Sequence, residues 1–363
     1  MVSLVACAPP GDEGLPVVAR GRYVEIATER DEPVCGGTAD YMDRVIEAVY
    51  ATIGETPPDR RFVRFEWLEL DEDDPVIGGA FTRWVDDSVL IRSDVALVEE
   101  HELVHAVQRE AWPRSNDFLV EGLAVLFDAK RLWRDAYPWP ESASLDELLG
   151  APNVVFADYD LAWFVVSQIV LDHGFEGLRD FWHAVPRGSS ATEVRAAYEA
   201  LFGRSIDALV EPYQVGEPGT PGSYEMERRA CDFSLCPAPS VTEWEGEQWS
   251  AAGPIGCEDD PNAIGPDRRR LFEWGEVWRD YTMPAEPAFY RTEYTAKRGY
   301  GYNNCELHCE WLATGMTDSF EGPFTFETFE EWEGPTRFEV RAALSDLPAD
   351  APGSVTVVQV PPP

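Results

Sequence analysis

Positive charge is scarce in this chain: 29 lysines and arginines stand against 67 aspartates and glutamates over 363 residues, a formal net charge of −38. Such a surface repels phosphodiester backbones and anionic headgroups, which excludes nucleic-acid binding. The sequence also lacks any apolar run approaching the roughly 18 residues that a membrane-spanning helix requires, so no transmembrane segment is expected. Histidine is rare as well, with five in all, and two standing close together therefore carry weight. Apolar and aromatic residues are present at 44% and 12%, enough to bury a core and offset the entropy of ordering the chain. The acidity then reflects solubility or a saline habitat. The length exceeds one average domain and suits two.

Cysteine is uncommon but placed informatively. Leu4, Val5, Ala6 and Cys7 resemble a bacterial lipobox, in which apolar or small residues precede a cysteine that is lipidated, and Pro9, Pro10 and Gly11 begin a tether. Only Met1 to Ala6 precede that cysteine, fewer than the charged and apolar regions of a secretory signal need, so either the gene starts upstream or the match is accidental. Ala8, where an aspartate would resemble inner-membrane retention, favours an outer-membrane or surface anchor. The expectation is an exported protein, lipid-anchored at Cys7 to the bacterial outer membrane or cell surface. The remaining Cys35, Cys231, Cys236, Cys257, Cys305 and Cys309 are an even number, consistent with three disulfides in an oxidising compartment. Five of these six lie from Cys231 to Cys309, so Cys35 either reaches the second domain or leaves thiols free. The crowding of Cys305, His308 and Cys309 offers a rival reading as a structural zinc site.

Along the chain, residues 1–20 form the lipobox and tether. Alternation predicts a strand over Arg22 to Glu29, then a helix from Ala39 to Thr52 and further strands over Phe62 to Leu70 and Ser88 to Arg92. Ser93 or Asp94 caps a helix running to Ala111, broken by Trp112 and Pro113. A second helix is expected from Asp117 to Trp133, capped by Ser115, Asn116 or Asp117. Leu145 to Tyr213 is wholly helical in pattern. Gly and Pro in 215–223 mark a linker that closes a first domain of 21–214. Beyond it, 224–363 carries short aromatic or β-branched segments, among them Phe272 to Trp278, Phe289 to Tyr294, Phe324 to Phe329, Thr336 to Val340 and Ser354 to Val360. These predict an antiparallel β domain or sandwich holding the disulfides.

The chemistry is concentrated in His101 Glu102 Leu103 Val104 His105. Four residues on a helix make about one revolution, so the two imidazoles stand one above the other and can serve a single tetrahedral ion. Glu102 is rotated by only about a quarter turn from His101. It stands beside the metal, where it can take a proton from an attacking water and return it to a leaving amine. Chance matches to this pattern are expected on the order of once in a hundred such chains. A third ligand is sought on a neighbouring helix, and Glu121 in Phe118 Leu119 Val120 Glu121 Gly122 Leu123 Ala124 supplies a carboxylate facing the core, where an unpaired charge is costly. Gly122 is expected to let the two helices approach closely. Glu99 and Glu100 read either as hydrogen-bond partners of a ligand imidazole or, in preference, as a solvated acidic face. His173 and His183 read as structural.

HELVH followed after fifteen residues by Glu121 resembles the gluzincins, the clan containing thermolysin and aminopeptidase N, and most closely their short bacterial peptidase-MA-like branch. The resemblance implies zinc held by His101, His105 and Glu121, with Glu102 as the catalytic base. It also implies an α+β, thermolysin-like catalytic domain, a small N-terminal sheet plus a helical subdomain, ahead of the antiparallel β domain. Tyr159 to Val166, His173 to Phe175 and Phe202 to Ile206 resemble the later helices of that fold, so the likeness spans roughly residues 20–213. A clan tyrosine often stabilises the oxyanion, and Tyr159 takes that role or that of a core or capping residue. Ser88 to Arg92 resembles the edge strand along which an extended peptide lies by strand addition. The His105 to Glu121 gap is shorter than in the aminopeptidases and no GAMEN-like segment is present, so aminopeptidase activity is not implied. The expected function is zinc-dependent hydrolysis of a peptide or protein substrate. The alternatives are a catalytically quiet surface adhesion or scaffold lipoprotein and a purely structural zinc.

Overall fold

A computed structural model describes residues 14–68, 80–85, 87–94, 97–127, 144–154, 158–215, 248–254, 257, 261–267, 276–285, 289–294, 300–304, 324–327, 336–344 and 352–360. The first region is a mixed α/β unit. Strands β1 (Val17–Arg20), β2 (Val24–Thr28), β3 (Val63–Trp67), β4 (Ala80–Val85) and β5 (Ser88–Ser93) form one sheet in the order β1-β2-β3-β5-β4. The central pairs β2-β3 and β3-β5 are parallel, and the outer strands run antiparallel to their neighbours.

Period-two alternation explains this sheet. Val24, Val63 and Val89 lie in register, as do Ile26, Phe65 and Ile91, and all six are buried. That apolar face packs against helix α1 (Thr38–Thr52) and the helices that follow, in one continuous core. The opposite face carries an ionic ladder in which Arg64 reaches Glu25 at 2.8 Å and Glu66 at 2.9 Å, while Arg92 meets Glu66 at 2.7 Å. Asp43 of α1 accepts hydrogen bonds from the backbone N–H groups of Arg22, Tyr23 and Val24, fixing the helix to the start of β2.

Helices α2 (Glu100–Ala111) and α3 (Asp117–Phe127) follow the sheet. The cap of α2 differs from the expected one: Ser93 ends β5, and the helix begins only at Glu100, with Glu99 extended at its N-cap. It ends as expected, with Trp112 extended ahead of Pro113. Asn116 takes the cap of α3, its Oδ1 accepting from the Phe118 N–H at 3.2 Å. The expected continuation of this helix to Trp133 lies outside the described residues. Then come α4 (Leu145–Gly150), α5 (Tyr159–Ala184), α6 (Ala191–Phe202) and α7 (Asp207–Val215), as the helical pattern anticipates. Gly122 faces α5 and not α2: a Cβ there would stand 2.5 Å from the Ala162 carbonyl oxygen and 2.6 Å from Val166 Cγ2.

Strands β6 (Gln248–Pro254), β7 (Ile264–Asp267), β8 (Glu276–Ala285), β9 (Phe289–Tyr294), β10 (Tyr300–Asn304), β11 (Phe324–Glu327), β12 (Thr336–Leu344) and β13 (Pro352–Val360) form two antiparallel four-stranded sheets. Their orders are β10-β12-β8-β7 and β11-β9-β13-β6. Cys35 bonds Cys257 across 222 residues. Beside it, the Cys35 N–H donates to the Gly265 carbonyl and the Gly37 N–H to that of Ala263, each at 2.9 Å, and Ile264 joins the first region's core. Cys7, Cys231, Cys236, Cys305 and Cys309, the lipobox, and most of the 215–223 linker lie outside the described residues. No helix among the described residues is long and apolar enough to cross a membrane.

Candidate metal centre

Helix α2 is unusual in having no solvent face over its first two turns: every residue from Glu100 to Gln108 is buried. With four residues between them, His101 and His105 project from one side, and their Nε2 atoms lie 3.1 Å apart. Helix α3 brings Glu121 across, placing its Oε2 3.3 Å from each of those nitrogens. The three atoms form a nearly equilateral triangle. Although close to both rings, Glu121 Oε2 is buried and makes no directed hydrogen bond among the described residues.

Electrostatics require a positive charge at that point. Burial alone would lower the pKa of His105, but the carboxylate of Glu121 outweighs it and raises the group from 6.5 to about 9. Burial likewise opposes ionisation of Glu121, yet the two imidazoles hold it well below the ordinary carboxylate range. A proton meets the requirement in the metal-free chain, and the same three donors could hold a cation. Three donors at about 2.0–2.1 Å from a tetrahedral ion stand about 3.3 Å from one another. The observed edges of 3.1, 3.3 and 3.3 Å fit that figure. Two imidazoles and one carboxylate suit a divalent transition ion.

Glu102 is buried beside the triangle, with a carboxylate oxygen within 4.8 Å of the imidazole donors. Its Oε2 accepts a hydrogen bond from the Thr82 hydroxyl on β4, which draws the carboxylate toward the sheet. Of the two acidic groups, Glu121 is the nearer to both imidazoles. Tyr159, the first residue of α5, stacks on His101 with ring centroids 5.6 Å apart and planes 15° from parallel. All five residues singled out in the sequence therefore meet in one place.

Models of protein families and curated proteins offer no match to this chain.

Other expectations are corrected by the geometry. Strand β5 lies between β3 and β4, so among the described residues the sheet edge beside the site is β4, not Ser88 to Arg92. Glu100 is not on a solvated face; it is buried and accepts from the Tyr41 hydroxyl at 2.5 Å. His173 is structural as expected, stacked on Phe202 with centroids 3.8 Å apart and 3.0 Å from the Tyr198 hydroxyl. Two contacts escaped the sequence. Gln108 Oε1 lies 3.0 Å from His105 Nδ1, and its place three residues past His105 on a helix was the available signal. Thr82 carried no such signal, since β4 has no legible alternation between a buried and an exposed face.

Proposed function

We propose that the chain is a zinc-dependent peptidase of gluzincin type, with His101, His105 and Glu121 as metal ligands and Glu102 as general base. The observation carrying this reading is the convergence of two imidazoles and one carboxylate within 3.3 Å, with a second carboxylate held alongside by Thr82. When bound, zinc supplies Lewis acidity, drawing charge from a carbonyl oxygen and making water a usable nucleophile near neutral pH. Glu102 accepts the proton of the attacking water and delivers it to the leaving amine nitrogen. Thr82 occupies Oε2 of Glu102, leaving Oε1, which has no hydrogen-bond partner among the described residues, for that transfer. Tyr159, held against His101 by ring stacking, donates its hydroxyl to the developing oxyanion.

Among the described residues, strand β4 pairs with β5 alone. A peptide or protein substrate lies along its open side by strand addition, with the scissile bond above α2. The Cys35–Cys257 disulfide supports action in an oxidising compartment, in keeping with export and anchoring through Cys7. The deciding experiment compares wild type with Glu102→Gln for zinc content and for cleavage of a mixed peptide library. The expected result is one zinc per chain in both and cleavage in the wild type alone. Zinc without cleavage in either would turn the reading to a quiet scaffold, and absence of zinc would overturn the site.

A further inference from the structure

The side chain of Gln108 is buried between α2 and α3. Its Nε2 donates to the Val120 carbonyl at 3.0 Å, and its Oε1 faces His105 Nδ1 at 3.0 Å. This arrangement leaves no freedom in assigning protons. A carbonyl oxygen only accepts, so the NH₂ end of the amide must face Val120 and the oxygen must face the imidazole. An amide oxygen also only accepts, so His105 must carry its proton on Nδ1. The Nε2 lone pair is thereby left facing the triangle. His101 has no comparable support: its Nδ1 is buried without a hydrogen-bond partner among the described residues. Val120 is the residue before Glu121, so the same amide ties the ring of one donor to the backbone that carries another.

We propose that Gln108 is a positioning residue for the metal centre: it sets the Nδ1–H tautomer of His105 and, through Val120, the placement of α3 that brings Glu121 into reach. The inference rests on the metal-binding reading given above. Its consequences are specific to the two ends of the amide. Gln108→Leu removes both hydrogen bonds, and loss of such outer support lowers metal affinity by about 10–100-fold. Gln108→Glu keeps an acceptor for Nδ1–H while losing the donor to Val120, so it restores the tautomer and recovers only part of that affinity. A residue that only filled space would rank the variants the other way, because glutamate places a charge against a buried carbonyl.

The test uses the full chain with its disulfide intact. Zinc affinity is measured by chelator competition for wild type, Gln108→Leu and Gln108→Glu, with circular dichroism to establish folding. In parallel, ¹⁵N-histidine NMR of the metal-free protein, followed up the pH scale until the imidazoles are neutral, reads the tautomer directly. The expected results are an Nδ1–H tautomer in the wild type, its loss in Gln108→Leu together with about 10–100-fold weaker zinc binding, and in Gln108→Glu recovery of the tautomer with an affinity between the two. Equal affinity in wild type and Gln108→Leu, or an Nε2–H tautomer in the wild type, overturns the proposal and leaves the metal centre standing. Absence of zinc binding in the wild type overturns the metal centre and this role with it. If Gln108→Leu does not fold, the wild-type tautomer alone decides.

Discussion

His105 and Glu121 form a pair whose charges depend on each other, and this sets how the metal-free protein responds to pH. A histidine raised from 6.5 to about 9 contributes its full stabilisation below pH 6.5 and loses it as pH rises through 9. A carboxylate depressed from 4.5 contributes above pH 4.5 and loses its share as pH falls. Metal-free protein should therefore lose on the order of 2–3 kcal/mol from this pair between about pH 6.5 and 9.5. Metal-loaded protein should show the opposite slope there, since an ion must displace the proton and binds more tightly as pH rises. Thermal denaturation across this range, with and without chelator, measures both; a flat metal-free profile would contradict the electrostatic account. Thr82 acts at the same scale. Thr82→Val keeps the shape of the side chain and removes the hydroxyl that holds Glu102, so kcat should fall by about tenfold while zinc occupancy stays at one per chain. Steady-state kinetics beside metal analysis separates the two.

Among the elements, the contact that matters most is α3 against α5. Gly122 permits it, because any side chain there would press on the Ala162 carbonyl and Val166. Gly122→Ala should destabilise the domain by about 1–3 kcal/mol. It should also weaken metal binding, since Glu121 moves with the helix backbone. Denaturant titration and chelator competition on the same variant report the two effects. The central strands and the helices were legible because local periodicity specifies them: period two in β2, β3 and β5, and spacings of three and four in α2 through α7. Strands β1 and β4 were not. Neither strand has a fully buried face, so neither carries the apolar alternation that marks β2, β3 and β5. The sheet edge was consequently assigned to β5.

For the whole molecule, the Cys35–Cys257 bond and the backbone pairing around Ala263 and Gly265 join the beginning of the chain to its second half. Ile264 completes the core next to α1, so the first region borrows a buried residue from far along the chain. Closing so long a loop removes considerable entropy from the unfolded chain, and Cys35→Ala with Cys257→Ala should lower stability by about 2–5 kcal/mol. A melting curve of the double variant, set against the reduced wild type, tests this; unchanged melting in both would show that the bond contributes nothing.

By itself the sequence determined what depends on neighbours along the chain. His101, Glu102 and His105 are related by helical geometry alone, and Glu121 follows because a carboxylate in an apolar helix needs a partner. The placement of five of the six cysteines from Cys231 to Cys309 left either Cys35 bonded to the second half of the chain or some thiols free. The tertiary structure decided what depends on residues distant in sequence: which strand forms the edge, that Thr82 meets Glu102, that Gly122 faces α5, and that Cys257 is the partner of Cys35. Such contacts arise from packing one face against another, and packing selects its partners by shape and burial, which leave no periodic trace in the chain.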